Sequence, residues 1–355
     1  MKEAVVSPET TVSVRDSPIP VPGKGEILIK VIVSGTNPKD WKVPAWTNES
    51  MNSGDDIAGT IAELGSNVRG FHKGDRVAAF HVMRTSGGSF AEYAIAPQHT
   101  TFTVPDSITF EEAATIPLAA YTSAVALFRV LEFRSPWDQV PKLEAKKRPL
   151  IIYGASTAVG AFAIKLAYAA EIHPVVAVGS ENSKFVLPFL ATDQGDKFVD
   201  YTKFKTDDEL VNAIQGAVKE TGAQPSQAYV LDCVSTSQTL VFLSNVVRSS
   251  QDVPSRPRMT FVLPMVDENG VNPNVDLSVT SVATVHEKAE RDQLFGLVWG
   301  QAFARGLAQG WLTPHPHEVV KGGLFGLENA LKGLREEKVR GKKMVVRLNE
   351  TEGAK

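Results

Sequence analysis

The sequence predicts an α/β fold, in which a β-rich first part is followed by a doubly wound parallel sheet. Residues 1 to about 115 contain short β-branched runs separated by Gly, Pro and Asn turns, a spacing typical of a small barrel. From Pro149 onward, apolar strand-like runs alternate with helical patterns, as a parallel sheet covered on both faces requires. A chain of 355 residues is long enough for two domains.

Composition and charge argue against several classes of protein. Hydrophobic residues make up 43% and charged residues 22%, which is ordinary for a globular protein. The net charge of −3 without a long basic stripe argues against a nucleic-acid partner. Cys233 is the single cysteine, so a disulfide framework and a thiolate zinc lobe are excluded. We see neither a leader-like segment nor a run of bilayer length, and expect a cytoplasmic protein without a membrane partner.

The first part is predicted from its turns and its β-rich runs. Strands are expected at 10–15, 25–34, 57–64, 75–80 and 89–96. From residue 111 the pattern becomes helical, and Pro117 interrupts it early. Residues 134–149 contain three prolines and a basic cluster, which predicts a surface insertion.

The strand at Leu150 to Tyr153 is the centre of the second part. It is apolar without alternation, as expected for a strand covered on both faces. The turn that follows, 154–160, carries small side chains, so backbone N–H groups at the next helix start can approach a pyrophosphate. The glycine positions of the dinucleotide fingerprint hold Ala155, Thr157 and Gly160, so the fingerprint is degenerate. The second strand, 174–180, completes a βαβ unit that predicts nucleotide binding.

The end of that second strand predicts the cofactor. An NAD site usually carries Asp or Glu at this point, whereas a 2′-phosphate needs hydrogen-bond donors and positive charge. Here Ser180, Asn182 and Lys184 are available, and Tyr201 follows the next strand. Glu181 is the discordant residue, and we expect it to point to solvent from the first helical turn. The pattern predicts NADPH.

The remaining elements follow the same alternation. Strands are expected near Leu150, Val175, Phe198, Ala228 and Met259, helices at 207–219 and 236–247, a helical region at 294–307, and a last helix and strand at 326–337 and 343–348. The last strand has the β-branched character of the first part, which favours a return to it.

Several stretches together resemble the medium-chain dehydrogenase/reductase superfamily over essentially the whole chain. They are 21–31, 36–40, 56–61, 73–77, 88–93, 231–234 and 341–346. The resemblance implies a GroES-like β-barrel catalytic domain at 1–122, a Rossmann NADPH-binding domain at 123–308, and a C-terminal segment at 309–355 that returns to the catalytic domain.

The zinc-free branch of that superfamily is indicated. Zinc alcohol dehydrogenases carry a cysteine ligand near the position of Asn37 and a Gly-His-Glu motif near 54–56, and this sequence has neither. We therefore expect no metal. Asp55, Asp56 and His81 are an alternative ligand set, but surface or hydrogen-bonded roles are favoured for them. Within this branch the chain is similar to fungal enoyl reductases that act in trans on polyketide synthase products, and to quinone oxidoreductases. Residues 153–158, the proline-rich insertion and the tail around 319–323 favour the former.

The resemblance implies an NADPH-dependent reductase of the C=C bond of α,β-unsaturated carbonyl substrates, which are free or presented as carrier-bound thioesters. Hydride passes from the nicotinamide to Cβ, and water can supply the proton at Cα. The alternatives are an NADPH quinone oxidoreductase and a non-catalytic NADPH-binding protein. A monomer is favoured over a homodimer.

The resemblance also assigns site residues. Cofactor contacts are expected at Asn37, Pro38, Lys39, Asp40, Ser156, Thr157, Ala158, Val159, Ser180, Glu181, Asn182, Ser183, Lys184, Tyr201, Leu263, Pro264, Lys343 and Met344. The candidate catalytic residues are Asn37, Lys39, Asp40, Tyr121 and Thr122, because the first loop and the domain-joining helix are expected to face the nicotinamide. Each has a structural alternative: a turn at Asn37, a helix cap at Asp40 and a backbone-bonded hydroxyl at Thr122. Positioning is favoured over direct proton transfer.

Overall fold

The computed structural model describes residues 1–138, 148–248 and 256–354. The chain forms two compact units, of which the first joins Met1–Tyr121 to Ala283–Lys355 and the second is Thr122–Val282. The predicted insertion at 134–149 lies mostly outside the described residues.

The secondary structure can be given in chain order. The strands are β1 (Lys2–Val6), β2 (Val12–Asp16), β3 (Glu26–Gly35), β4 (Asp56–Leu64), β5 (Arg76–Phe80), β6 (Tyr93–Pro97), β7 (Thr101–Thr103), β8 (Leu150–Tyr153), β9 (Val175–Gly179), β10 (Lys197–Asp200), β11 (Tyr229–Asp232), β12 (Arg258–Phe261), β13 (Asp276–Val279), β14 (His317–Val320) and β15 (Lys343–Arg347). The α-helices are α1 (Lys39–Thr47), α2 (Phe110–Ala113), α3 (Pro117–Ala124), α4 (Ala158–Ala169), α5 (Asp207–Glu220), α6 (Ser237–Val246), α7 (Glu290–Gln309) and α8 (Leu327–Arg335).

The first unit is built on β3, a strand of ten residues. One of its edges pairs antiparallel with β4. Its other edge pairs with β6 over the first half and with β15 over the second half. Ile27, Ile29 and Ile57 are fully buried beneath this sheet. Burial removes their apolar side chains from water, which is favourable through the hydrophobic effect. β15 thus brings the end of the described chain next to the loop that follows β3.

The second unit is a parallel sheet of six strands in the order β10-β9-β8-β11-β12-β13. Strand order reverses between β8 and β11, the point at which doubly wound folds bind ligands beyond the carboxyl ends of their strands. Those ends place Gly154, Ser180, Tyr201 and Cys233 along one edge of the sheet.

Helix α7 marks a difference from the predicted domain boundaries. Residues up to 308 were predicted to belong to the second domain, whereas α7 belongs to the first unit. The Phe303 ring lies 5.8 Å from that of Phe102 and 5.1 Å from that of Tyr121. An amphipathic pattern predicts a buried face, but it does not say which sheet covers that face.

Other local differences are small. Four elements were not predicted from the sequence: α1, β7, β13 and β14. Glu181–Phe189 forms 3₁₀ turns in place of the expected helical turn. The helical segment Phe110–Val130 has the length and hydropathy of a membrane span, but 83% of its most apolar window is buried within the protein, as in a core segment.

Candidate active site

The turn after β8 is held by its own backbone and by Thr157. The N–H groups of Gly154 and Ala155 both donate to the Val178 carbonyl, at 3.0 and 2.9 Å. The Thr157 hydroxyl donates to the Gly154 carbonyl at 2.8 Å and accepts from the Gly160 N–H at 3.0 Å. Thr157 is therefore the N-cap of α4, and the threonine in the degenerate fingerprint closes the turn through its side chain.

Two glycines of this turn are required by its geometry. Gly154 has a φ of +86°, a conformation that side chains disfavour. A Cβ on Gly160 would lie 2.3 Å from the Gly154 carbonyl oxygen. The start of α4 can therefore approach the strand only with glycine at position 160.

The first turn of α4 offers backbone donors. Over the parts of the chain that the structure describes, the N–H groups of Ser156, Ala158 and Val159 have no protein acceptor. Unpaired N–H groups at the positive end of a helix dipole favour a phosphate group. The turn therefore fits a pyrophosphate, which is the group that these residues were predicted to bind.

Ser180 and Tyr201 occupy neighbouring positions at the same sheet edge. They directly follow Gly179 and Asp200, which are register partners in β9 and β10. Ser180 is 6% exposed, and the Tyr201 ring lies 6.3 Å from that of Tyr153. A cavity of about 180 Å³ is lined by both tyrosines, among other residues.

The remaining candidate cofactor-binding residues after Ser180 lie in 3₁₀ turns and differ in exposure. Glu181, Asn182 and Lys184 are exposed, whereas Ser183 is buried and its hydroxyl accepts from the Ser180 N–H at 3.2 Å. Ser183 therefore shapes the turn. An exposed Glu181 agrees with the expectation that its carboxylate points to solvent.

The loops after β11 and β12 complete this edge. Leu263 is half-buried and Pro264 is exposed in the loop that follows β12. Asp232, which the site prediction did not include, accepts from the N–H groups of Val234 and Ser235, both at 2.9 Å. Burial raises the pKa of Asp232, against the effect of its hydrogen bonds. It shapes the loop after β11. The signals for it in the sequence were its place at the end of an apolar strand and its position within the family stretch 231–234.

In the first unit, Asn37 and Lys343 meet at Asp56. The Asn37 Nδ2 donates to Asp56 Oδ2 at 2.7 Å, and the Lys343 Nζ donates to Asn37 Oδ1 at 3.0 Å. Lys343 also forms an ion pair with Asp56. Each of these three side chains, here called the Asp56 ring, contacts the other two, and all three are at most 4% exposed.

A second charged group lies beside the Asp56 ring. The Lys39 Nζ is 2.9 Å from Asp40 Oδ1, and it also contacts Asp55 and the Ser53 carbonyl. Burial raises the pKa of Asp40 to about 7 and that of Asp55 to about 6, although Lys39 opposes both shifts. Burial alone would lower the pKa of Lys39, but the two carboxylates raise it above its usual value. The cluster holds one ammonium between two carboxyl groups.

Loop 36–40 is fixed by hydrogen bonds to Asp40 and to the backbone of β15. Asp40 Oδ2 accepts from the Asn37 N–H at 2.7 Å, whereas the N-cap position of α1 is held by Pro38 without a side-chain hydrogen bond. Thr36 donates through its N–H and its hydroxyl to the Met344 carbonyl. Pro38, which follows Asn37 in this loop, is exposed. The structure thus brings together the predicted residues at 37–40 with Lys343 and Met344.

Tyr121 and Thr122 are buried helical residues. The Tyr121 hydroxyl donates to the Gly296 carbonyl at 3.2 Å, and burial raises the Tyr121 pKa above its usual value. Thr122 is 4% exposed. The Tyr121 hydroxyl therefore has an intramolecular partner in the first unit.

His81, His99 and His286 lie close to one another in the first unit. The His286 ring stacks on Phe80 at 4.6 Å, and its Nε2 is 3.1 Å from the Thr100 hydroxyl. Burial lowers the pKa of His286 to about 3, with a smaller contribution from His99. The His81 Nδ1 lies 2.6 Å from the Ile95 carbonyl. Within residues 1–138, 148–248 and 256–354, no group of three His, Cys, Asp or Glu side chains could hold a metal ion.

Comparison with known proteins adds sequence relatives. A family model described as the alcohol dehydrogenase GroES-like domain matches residues 23–106. The chain is 37% identical over 324 residues to a protein named trans-enoyl reductase fsr4 from Gibberella fujikuroi, and the match covers 91% of each chain.

Solved structures share the fold over nearly the full length. A putative zinc-dependent alcohol dehydrogenase from Rhizobium etli superposes with a TM-score of 0.79 at 20% identity, covering 98% of each chain. The CurK enoyl reductase superposes with a TM-score of 0.72 at 17% identity, again over 98% of each chain. The predicted fold class, a GroES-like domain with a Rossmann-like parallel sheet, is confirmed.

Proposed function

Because this chain belongs to the trans-enoyl reductase family of medium-chain dehydrogenases/reductases, we propose that it reduces the C=C bond of an α,β-unsaturated carbonyl substrate with NADPH. The observation that carries the proposal is the 37% identity to a trans-enoyl reductase over 91% of both chains. The nucleotide-binding edge of the second unit supports it independently. The substrate class includes free enones and carrier-bound thioesters.

NADPH is proposed over NADH because of the groups after β9 and β10. Ser180 and Tyr201 directly follow register partners in β9 and β10, and both hydroxyls can donate to a phosphate. Lys184 is exposed nearby in the sequence and adds positive charge. The only carboxylate within the 180–184 stretch belongs to Glu181, which is exposed. A 2′-phosphate would therefore meet donors rather than a buried carboxylate.

The remaining residues bind and orient. When bound, NADPH supplies the hydride that is added to Cβ. The N–H groups at the start of α4 bind the pyrophosphate, and the turn at 154–160 keeps side chains away from it. Asn37, Lys39, Asp40, Lys343 and Met344 are proposed as further contacts, with a positioning role. No step requires a metal ion, in agreement with the missing zinc ligands of the sequence.

The test follows oxidation of NADPH by the loss of reduced-nicotinamide absorbance. An α,β-unsaturated thioester and a small quinone are the two acceptors, and NADH is the control cofactor. We expect turnover of the thioester with NADPH and little with NADH. Preferential turnover of the quinone would replace the proposal by a quinone reductase, and tight NADPH binding without turnover of either acceptor would favour a binding protein.

A further inference from the structure

Asp56 is fully buried and receives hydrogen bonds from three separate segments of the first unit. Its Oδ1 accepts from the Leu118 N–H in the first turn of α3, at 2.7 Å. Its Oδ2 accepts from Asn37 Nδ2 at 2.7 Å and is also bound by the Lys343 ammonium. One carboxylate therefore joins a loop, a helix start and the last strand. From the sequence, Asp56 was part of the family stretch 56–61 and an alternative metal ligand, without an assigned partner.

The partners of Asn37 determine the orientation of its amide. A carboxylate can only accept and an ammonium can only donate. The Asn37 nitrogen must therefore face Asp56, and its oxygen must face Lys343, as the structure has them. Asn37 retains one amide hydrogen beyond this arrangement, whose direction is fixed by the other two bonds.

Asp56 is the counter-charge of the buried Lys343 ammonium. The Lys343 side chain is 3% exposed, and that of Asp56 is 0% exposed. An ammonium buried to this extent needs a counter-charge, because an unpaired buried charge is strongly unfavourable. Without the Asp56 charge the ammonium would be driven toward water and away from the Asn37 oxygen. Both proposed cofactor contacts would then lose their orientation together.

We propose that Asp56 is a positioning residue, which holds the Asn37 amide and the Lys343 ammonium in the orientation used for cofactor binding. The inference rests on the proposed function, since Asn37 and Lys343 are proposed there as cofactor contacts. It adds a residue that acts through these two and does not itself contact the cofactor.

The experiment compares Asp56→Asn with Asp196→Asn. Asp196 is a matched control, because it is 1% exposed and also accepts from three groups, the Val175 and Ala191 N–H groups and His173. It lies by the first residue of β9, at the opposite end of that strand from Ser180. The NADPH dissociation constant is measured by fluorescence titration without a second substrate, and the melting temperature is measured for each variant.

We expect both variants to melt at lower temperature but only Asp56→Asn to weaken NADPH binding, by about tenfold or more, as for a lost charge-assisted hydrogen bond. Asp56→Glu keeps the counter-charge for Lys343 but displaces the carboxylate oxygens by a methylene, so it too should weaken binding. This variant keeps the test open if Asp56→Asn does not fold.

A double-mutant cycle separates positioning from general destabilisation. If Asp56 acts through Asn37 and Lys343, the loss of NADPH affinity caused by Asp56→Asn should be clearly smaller in a Lys343→Met background than in the wild type, and the part that remains should come through Asn37. Wild-type NADPH affinity in Asp56→Asn, or losses in the double variant that equal the product of the two single ones, would overturn the inference. A wild-type chain that does not bind NADPH would refute the NADPH-dependent function, and this inference with it.

Discussion

The closest backbone approach in the turn at 154–160 leads to a quantitative prediction for Gly160→Ala. The added Cβ would lie 2.3 Å from the Gly154 carbonyl oxygen, whereas contacts of real Cβ atoms are essentially never under 3.0 Å. The start of α4 must therefore move by about 0.7 Å, the difference between these two distances. Overpacking of this kind costs about 1–3 kcal/mol.

A second glycine provides the matched control. Gly216 lies inside α5, and a Cβ there would meet nothing within 4 Å. Gly216→Ala should therefore stabilise the protein by about 0.5–1 kcal/mol through helix propensity alone. The difference between the two variants isolates the steric cost at Gly160, because both lie in helices of the second unit.

Thermal unfolding and NADPH titration read out the comparison. At about 2–4 °C per kcal/mol for a unit of this size, Gly160→Ala should melt several degrees below Gly216→Ala. NADPH binding should weaken about tenfold or more in Gly160→Ala only, because the displaced N–H groups no longer meet the pyrophosphate. Equal melting temperatures with unchanged NADPH affinity would refute the close-approach argument.

Three further predictions concern cofactor choice, metal and pH. Tyr201→Phe combined with Ser180→Ala should weaken NADPH by about tenfold or more while leaving NADH nearly unchanged, since only NADPH has the 2′-phosphate; equal losses in titrations of the two cofactors would contradict the assignment. A chelator should leave the NADPH-dependent rate unchanged. If the chelator abolished the rate and added zinc restored it, the hypothesis of a metal-free reaction would be wrong. The pKa of His286 is lowered from 6.5 to about 3 by burial, so its stabilising contribution is present above pH 6.5 and is lost as the pH falls toward 3. Melting curves of His286→Gln should therefore change less than wild type on acidification through this range, and parallel pH profiles would contradict the shift.

The parallel sheet and most of the barrel strands were predictable because each signal is local. A strand such as β8 is apolar along its whole length, and the turn after it is rich in small residues. The position of α7 was not predictable in this way. Its buried residues, such as Phe303, contact residues far away in the chain, and periodicity does not specify a distant partner.

In the candidate site, too, local features could be predicted from the sequence and distant contacts could not. Ser180 and Tyr201 could be found because the ends of neighbouring parallel strands meet at one edge of a sheet. Asp56 could not be assigned its partner Lys343, because the two residues are 287 positions apart. The acidic pair Asp55 and Asp56 at the start of an apolar strand was the only local sign that buried cations were needed there.

The interrupted first unit has a consequence for the order of events during synthesis. Residues 122–282 form a continuous unit and can fold as soon as they leave the ribosome. The earlier segment, Met1–Tyr121, must wait for Ala283–Lys355, and until then β3 has no β15 along the second half of one edge. Asp56 and Asn37 meanwhile lack Lys343. A nascent chain stalled after residue 282 would thus expose an open strand edge, and we expect such intermediates to need chaperones more than the completed chain does.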